Sequence, residues 1–582
     1  MKTVLQKINK FLFFLYPIVT FYIFESYTHN AFTTMKFPIQ LLNFVFFEFI
    51  MLLFLFLTGK IHIALITETV LFAVIGLVNY FVLQFRSAPI MPWDIFSIRT
   101  ATSVADNFQY TLSGNVIRTL IAFVILIFLE SRCRVAFSLN CKKRCIGVIT
   151  LCVLIAAYTS MLHKEETVSR FKLYDKLFTP TVMSKRDGTA IAFLMELQYL
   201  SVKKPDGYSE SEAASLLNSY QTEETVTHTP NIIVIMDEAF SDLGVLGDFT
   251  TNTDYMPFMR SLMDGAEDTV SGHLNVSVLG GNTANTEFEY LTGNSMAFLP
   301  QGSIPYQQYI TQTVASTPSY LQTLGYTTIG MHPYYAKGWD RERVYPLLGL
   351  EQSYFIDDFT SPELIRKYVS DNSDFEKITQ LYKAKEPGKP LFLFNVTMQN
   401  HSSYTDDFDN FHPDVTVEGA SSKSLNNYLS LIKLSDNALE ELISYFKEQE
   451  EDTIIVFFGD HQPANSVAEP IWKLQGKSGD SLTESELALR YKVPFIIWAN
   501  YDIEEATGIE TSANFLASMT LSTAGLPLSD YDSYLNKLQQ SYPVISAIQV
   551  TDKDGNSTPT EEQSDALNQY QKIQYYQLFK DR

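Results

Sequence analysis

Two short segments, "IMDEAFSD" at 235–242 and "FGDHQP" at 458–463, each place acids directly after an apolar run. They contribute Glu238, Asp460 and His461. Two carboxylates and an imidazole form a ligand set for a divalent cation of Mn²⁺, Zn²⁺ or Mg²⁺ type. A further ligand stands in "GGNTANTEFEYLTG" at 280–293, where Thr283 follows Gly280, Gly281 and Asn282. A hydroxyl bound to such an ion loses its proton more readily and becomes a nucleophile. If Thr283 also opens a helix, backbone N–H groups and the helix dipole attract a phosphate to the same place. The chemistry indicated is phosphoryl transfer. The plainer alternative is that the acids are solvated turn residues and that Asn282 or Thr283 is only an N-cap.

For residues this far apart to meet, a sheet must collect them. "PNIIVIMDEAF" from Pro230, "TTIGMHP" at 327–333, "PLFLFNVTMQNHSSY" at 390–404, "DTIIVFFGDHQP" at 452–463 and "VPFIIWAN" at 493–500 each read as a buried strand entering a polar turn. Helical periods lie between them, as at 319–326 and 425–449. Strand alternating with helix predicts an α/β domain over 230–545 with a mostly parallel central sheet. Ligands bind beyond the carboxyl ends of such strands, which singles out Asp237, Glu238, His332, His401, Asp460 and His461.

The first 162 residues differ in kind, holding 13 Lys plus Arg against 6 Asp plus Glu, while the following 420 carry a net −29. Five apolar stretches, at 11–27, 40–58, 62–84, 115–130 and 146–162, approach the roughly 20 residues that span a bilayer. Lys2, Lys7, Lys10, Lys60, Arg132, Arg134, Lys142, Lys143 and Arg144 mark the cytoplasmic side, so the N-terminus is expected inside and the chain after residue 162 outside. The loop at 85–117 is then external despite Arg86 and Arg99. No small-residue cleavage site closely follows the first stretch, so it reads as a retained helix in a multi-pass membrane protein. Cys133, Cys141, Cys145 and Cys152 are the four cysteines, and the external part folds without disulfides. Residues 163–229 read as connector helices that wrap or dock on the domain that follows, and 546–582 as a polar tail ending in one surface helix. The acidic external part disfavours binding to anionic surfaces by charge, and to nucleic acid as well.

These motifs, in this order and over almost the whole chain, resemble the lipoteichoic acid synthase family, membrane phosphoglycerol transferases of the alkaline phosphatase and sulfatase superfamily. The resemblance implies five membrane helices joined to an extracellular sulfatase-like domain. It implies Mn²⁺ held by Glu238, Thr283, Asp460 and His461, with Thr283 as nucleophile. Glycerol phosphate is taken from phosphatidylglycerol, diacylglycerol leaves, and the acceptor is lipoteichoic acid or another wall glycan. In "MHPYYAKGWDRER" at 331–343, His332, Trp339 and Arg341 match the family's glycerol-phosphate pocket, and His401 its other histidine. Arg341 can clamp phosphate with a planar fork, Trp339 can form an apolar wall, and His332 or His401 can shuttle a proton. One departure is Tyr334, where the family has an acid. A phosphoethanolamine transferase shares the metal set but usually carries disulfides in the catalytic domain. A sulfatase needs Pro and Arg in its nucleophile turn, which "TANTE" lacks. A non-catalytic envelope scaffold or sensor is expected to lose a metal ligand, and none is lost here.

Overall fold

The computed structural model describes residues 13–86, 89–95, 111–133, 139–174, 180–200, 202–221, 226–300, 303–558 and 564–580. Lys2, Lys7, Lys10, Arg99, Arg134 and most of the 85–117 loop lie outside the described residues. The chain divides into two units, one helical and running to residue 201, the other α/β and continuing from 202 to the end.

The helical unit is built on α1 (Tyr16–Glu25), α2 (Phe37–Thr58), α3 (Ile61–Arg86), α4 (Gly114–Glu130) and α5 (Cys141–Leu162). Three of the described helices, α2, α3 and α5, are long and apolar enough to cross a membrane. The 17-residue α4 is apolar but short, and the first predicted stretch begins in residues that are not described. Interdigitated aromatics hold the bundle, with Phe47 and Phe72 stacked at 4.0 Å and Phe21 packed on Phe47 at 5.6 Å.

The predicted connector is split between the units. Its first part, α6 (Pro180–Asp187) and α7 (Thr189–Glu196), folds onto the membrane helices. Glu25 at the end of α1 accepts from the Thr189 N–H at 2.9 Å and its hydroxyl at 3.0 Å, and Asn43 donates to the Asp187 carbonyl at 2.8 Å. Its second part, α8 (Glu210–Asn218), belongs to the α/β unit.

The central sheet of the α/β unit has eight strands, β1 (Asn231–Asp237), β2 (Thr269–Asn275), β3 (Thr327–Met331), β4 (Gln352–Tyr354), β5 (Leu391–Val396), β6 (Thr453–Gly459), β7 (Lys492–Ala499) and β8 (Ala506–Ser512). They pair in the order β8-β2-β7-β6-β1-β5-β3-β4. Only β7 runs against its neighbours, so the sheet is mostly parallel. β1, β5 and β6 are buried along their whole length, as their β-branched and aromatic runs require. The helices that matter below are α9 (Thr283–Thr292), α10 (Arg341–Leu347), α11 (Asp371–Ala384), α12 (Lys423–Lys447) and α13 (Ala513–Thr523). The tail ends in α14 (Asp565–Phe579), which packs against α8 and buries Tyr570 and Ile573 completely. Its apolar residues recur at Leu567, Tyr570 and Ile573, a helical spacing, so this end of the tail is part of the core.

Candidate active site

β1 and β6 are neighbours in register, with Asp237 beside Gly459, so their ends deliver Glu238 and Asp460 to one spot. The approach depends on Gly459, where an added Cβ would lie 1.9 Å from the Phe240 carbonyl oxygen. Asp460 Oδ1 accepts from the Ala239 N–H at 2.7 Å, which turns Oδ2 toward His461 Nε2 at 3.3 Å. His461 Nε2 is also 3.8 Å from Glu238 Oε1, and His461 Nδ1 lies 3.0 Å from the Gln462 carbonyl, the geometry of a donated N–H. The tautomer that makes that bond leaves Nε2 as an electron-pair donor.

Asp460 Oδ2 and His461 Nε2 are buried and make no hydrogen bond. Together with Glu238 they form the group, among the described residues, whose ligand atoms converge tightly enough for a metal ion. Burial, then the Asp460 charge, pushes Glu238 well above the usual carboxylate range, and burial raises Asp460. Two orphaned donors and two disfavoured anions within one small space fit a divalent cation.

Thr283 is brought in by a sharp entry to α9. Gly280 (φ 67°), Gly281 (φ 147°) and Asn282 (φ 66°) all lie in the left-handed region, which glycine adopts without strain. An added Cβ at Gly281 would meet nothing within 4 Å, so this backbone is open to a ligand. Asn282 occupies the N-cap without a side-chain capping bond, and the Thr283 hydroxyl donates to Glu238 Oε2 at 3.3 Å. The hydroxyl therefore serves the carboxylate cluster and not the helix end. Thr286 donates to the Asp460 carbonyl at 2.8 Å and Asn285 to the Ser303 carbonyl at 2.9 Å, so both brace the turn.

Seven of the nine residues singled out in the sequence line one cleft, and the other two, Asp237 and Asp460, are fully buried. His332 follows β3 and its Nδ1 is 2.8 Å from the Val396 carbonyl. Burial and the Arg341 charge hold His332 well below the usual imidazole value, and burial lowers His401 to about 4. Burial thus favours the neutral imidazole at both positions. Trp339 (φ 52°) and Asp340 (φ 63°) are consecutive left-handed residues other than glycine, a strained turn that leads into α10.

Three buried groups of the site escaped the sequence reading. Arg366 donates to the carbonyls of Gln399 (2.6 Å), His401 (2.7 Å) and Ser403 (2.7 Å), shaping the loop that carries His401. Arg490 donates to Gln462 Oε1 (2.5 Å) and the Pro463 carbonyl (2.6 Å), bracing the turn after His461. Glu287 holds Arg341. Arg366 and Arg490 stand in unremarkable local sequence, and Glu287, although inside the 280–293 stretch, has no motif or period that distinguishes it from a surface residue.

The sulfatase family model matches residues 230–531, 302 of the 582 residues. The chain belongs to the sulfatase family. Within that family, part of the alkaline phosphatase superfamily, this chain is 30% identical over 397 residues to a candidate cyclic beta-1,2-glucan modification protein of Rhizobium meliloti, covering 66% of this chain and 60% of the relative. It is 27% identical over 237 residues to the lipoteichoic acid synthase of Staphylococcus saprophyticus, covering 40% of this chain and 35% of that one. The chain thus spans less than two thirds of the length of either relative. In fold, it is similar to the Streptococcus pyogenes phosphoglycerol transferase solved with sn-glycerol-1-phosphate, with TM-score 0.53, 21% identity, and coverage of 64% of this chain and 95% of the other. It is also similar to the integral membrane lipooligosaccharide phosphoethanolamine transferase A of Neisseria meningitidis, with TM-score 0.52, 13% identity, and coverage of 89% and 95%. The solved structures similar in fold thus include a phosphoglycerol transferase and a phosphoethanolamine transferase, and the superfamily is metal-dependent.

Proposed function

We propose that this membrane protein transfers glycerol phosphate from phosphatidylglycerol to a hydroxyl of a cell-surface glycan, lipoteichoic acid among them, on the outer face of the cell membrane. The observation that carries this reading is the Thr283 hydroxyl, free of any capping role, 3.3 Å from Glu238 Oε2 and at the N-terminus of a helix. Glu238, Thr283, Asp460 and His461 would hold a divalent cation, Mn²⁺ by family resemblance with Zn²⁺ or Mg²⁺ as alternatives, which supplies Lewis acidity toward the phosphate and lowers the proton affinity of the hydroxyl.

The chain's own groups then divide the work. Thr283 Oγ1 attacks phosphorus, the bond to the diacylglycerol oxygen breaks as the threonine proton passes to that oxygen by way of His332 or His401, and a glycerophosphothreonine remains at the start of α9. The N–H groups there and the Arg341 Nη1 face the phosphate oxygens. In the second step an acceptor hydroxyl displaces Thr283, and neutral His332 or His401 takes its proton. Trp339 walls the head-group side. The relative named for cyclic glucan modification covers more of this chain than the lipoteichoic acid synthase does, which places a glucan hydroxyl among the acceptors to be tried.

The test uses the full chain in detergent with Mn²⁺ and fluorescent phosphatidylglycerol or phosphatidylethanolamine. Diacylglycerol release is followed together with mass spectrometry of the Thr283 peptide. Release from phosphatidylglycerol with a glycerophosphorylated Thr283 is expected. Release from neither lipid, or equal release by Thr283→Ala, ends this reading, and release from the ethanolamine lipid alone reassigns the head group, the contact that Tyr334 puts in question.

A further inference from the structure

Arg341 enters the cleft with most of its guanidinium already engaged. Glu287, one turn beyond Thr283 on α9, is completely buried. Its Oε1 accepts from Arg341 Nε at 3.1 Å and Nη2 at 2.5 Å. Its Oε2 accepts from Arg341 Nε at 3.2 Å, the Tyr345 hydroxyl at 3.0 Å and the Tyr306 hydroxyl at 3.3 Å. The nitrogen not bonded to Glu287 is Nη1, which lies beside Gly338 in the cleft wall. One of the edges with which a guanidinium can grip a phosphate through two parallel bonds, the Nε and Nη2 edge, is thus occupied by a carboxylate of the protein.

The same segment is pinned a second time. Arg343 donates to Asp340 Oδ2 at 2.6 Å and to the carbonyls of Tyr306 at 2.6 Å and Ile310 at 2.5 Å. Trp339 and Asp340, in their strained conformation, directly precede these two arginines. A paired, fully buried guanidinium and carboxylate sum to no net charge, and Glu238 and Asp460 match the charge of one divalent cation. Those charges cancel, so only the partial positive charge at the N-terminus of α9 is left to face a bound phosphate, too little to balance a second negative charge. A phosphodiester carries one negative charge, whereas a phosphomonoester or inorganic phosphate carries about two near neutral pH.

We infer that Glu287 is a specificity-determining residue: by neutralising and orienting Arg341 it makes the cleft accept monoanionic phosphodiesters and discriminate against phosphomonoesters and inorganic phosphate. This rests on the reading of the cleft as a phosphoryl-transfer site and adds the charge class of its substrate. Removing the carboxylate uncovers a cation, which favours the doubly charged ligand, while the loosened Arg341 serves the diester less well. A merely structural brace would lower both together.

The experiment uses the full chain in detergent as wild type, Glu287→Gln, and Glu287→Gln with Arg341→Gln. Inorganic phosphate binding is measured by calorimetry on metal-free protein, and turnover of bis(p-nitrophenyl) phosphate against p-nitrophenyl phosphate on protein loaded with Mn²⁺. Glu287→Gln is expected to bind phosphate about ten-fold more tightly, and to lower the diester-to-monoester ratio by about ten-fold or more. The double variant, neutral again, is expected to bind phosphate within about ten-fold of wild type, the loss of one hydrogen bond. Unchanged phosphate affinity and ratio in Glu287→Gln, or a parallel fall of phosphate affinity and both turnovers, overturns the inference. Should Glu287→Gln fail to fold, the double variant decides, since a loss of phosphate affinity beyond ten-fold means that Arg341 acts as a full cation. Absence of diacylglycerol release by wild type would remove the lipid donor and leave the phosphate-binding result standing.

Discussion

In the helical unit Ile121, Val124 and Val153 point outward with more than half of their surface exposed, while Thr20, Thr69 and Glu130 are buried and bonded in a chain, at 3.1 Å and 2.7 Å. The α/β unit is arranged the other way round. Its aliphatic strands are wholly buried, and its polar residues gather where the strands end. The difference follows from the surroundings each unit is built for. A lipid-facing surface gains nothing by hiding Val or Ile, so polar side chains turn inward to find one another. A water-facing domain hides its apolar residues, and buried polar groups are held mainly by other groups, as at Arg366, Arg490 and Glu287, while Asp460 Oδ2 and His461 Nε2 stay unpaired where a cation fits. In the helical unit the buried polar chain serves packing, and in the α/β unit the tight buried cluster of Glu238, Asp460 and His461 lies at the site.

The most severe test of that contrast is Thr283→Ala. Diacylglycerol release should fall at least about a thousand-fold, about 4 kcal/mol in the barrier. The melting temperature should barely move, because the hydroxyl caps no helix. A large loss of stability would mean that Thr283 belongs to the fold and not to the chemistry. Arg366→Ala comes next. Three backbone carbonyls lose a buried charged donor, so chemical denaturation should show a loss of about 3 kcal/mol or more, together with reduced turnover as the His401 loop relaxes. Stability within error of wild type would deny the brace.

A chain that starts at Val202 separates the two units directly. It should hydrolyse soluble bis(p-nitrophenyl) phosphate within about three-fold of the full protein and lose about ten-fold or more on phosphatidylglycerol in vesicles, since the anchor raises the local concentration of lipid. Equal losses on both substrates would show that the helical unit is needed for the site itself. The smallest effect concerns acid. His401 is held near 4 in the folded protein against about 6.5 when unfolded. The unfolded chain therefore takes up a proton that the folded one refuses, and this contribution to stability is complete above pH 6.5 and is lost as the pH falls toward 4. The melting temperature of metal-free protein, followed from pH 7 to 4.5, should fall less steeply for His401→Asn than for wild type, and identical slopes would remove His401 from the account.

Much of the architecture is legible in the chain itself. β1, β5 and β6 are continuous apolar runs too short for core helices and rich in β-branched or aromatic residues, and each hands over to the polar residues that form the cleft. The parallel order follows from the helices between them. The membrane helices show in hydropathy and in the change from net positive to strongly acidic character after residue 162. The reading of Thr283 needed more than pattern, since after two glycines a helix cap is the ordinary outcome. Family resemblance singled it out, and the Thr283–Glu238 bond shows that its hydroxyl is not spent on capping.

By itself, then, the sequence determined the two kinds of unit, the strands and the residues at their ends, because these depend on local composition and periodicity. The tertiary structure decided how Arg341 is used, which charges are neutralised, and where the connector belongs. Glu287 and Arg341 are 54 positions apart, Arg366 and Ser403 are 37 apart, and Glu25 and Thr189 are 164 apart. A buried ion pair carries no periodic signature: each partner looks like a surface residue until the fold removes the water around both. The sequence presents a guanidinium free to fork around phosphate, and only the packed structure shows one of its edges already taken by a carboxylate one helical turn from Thr283.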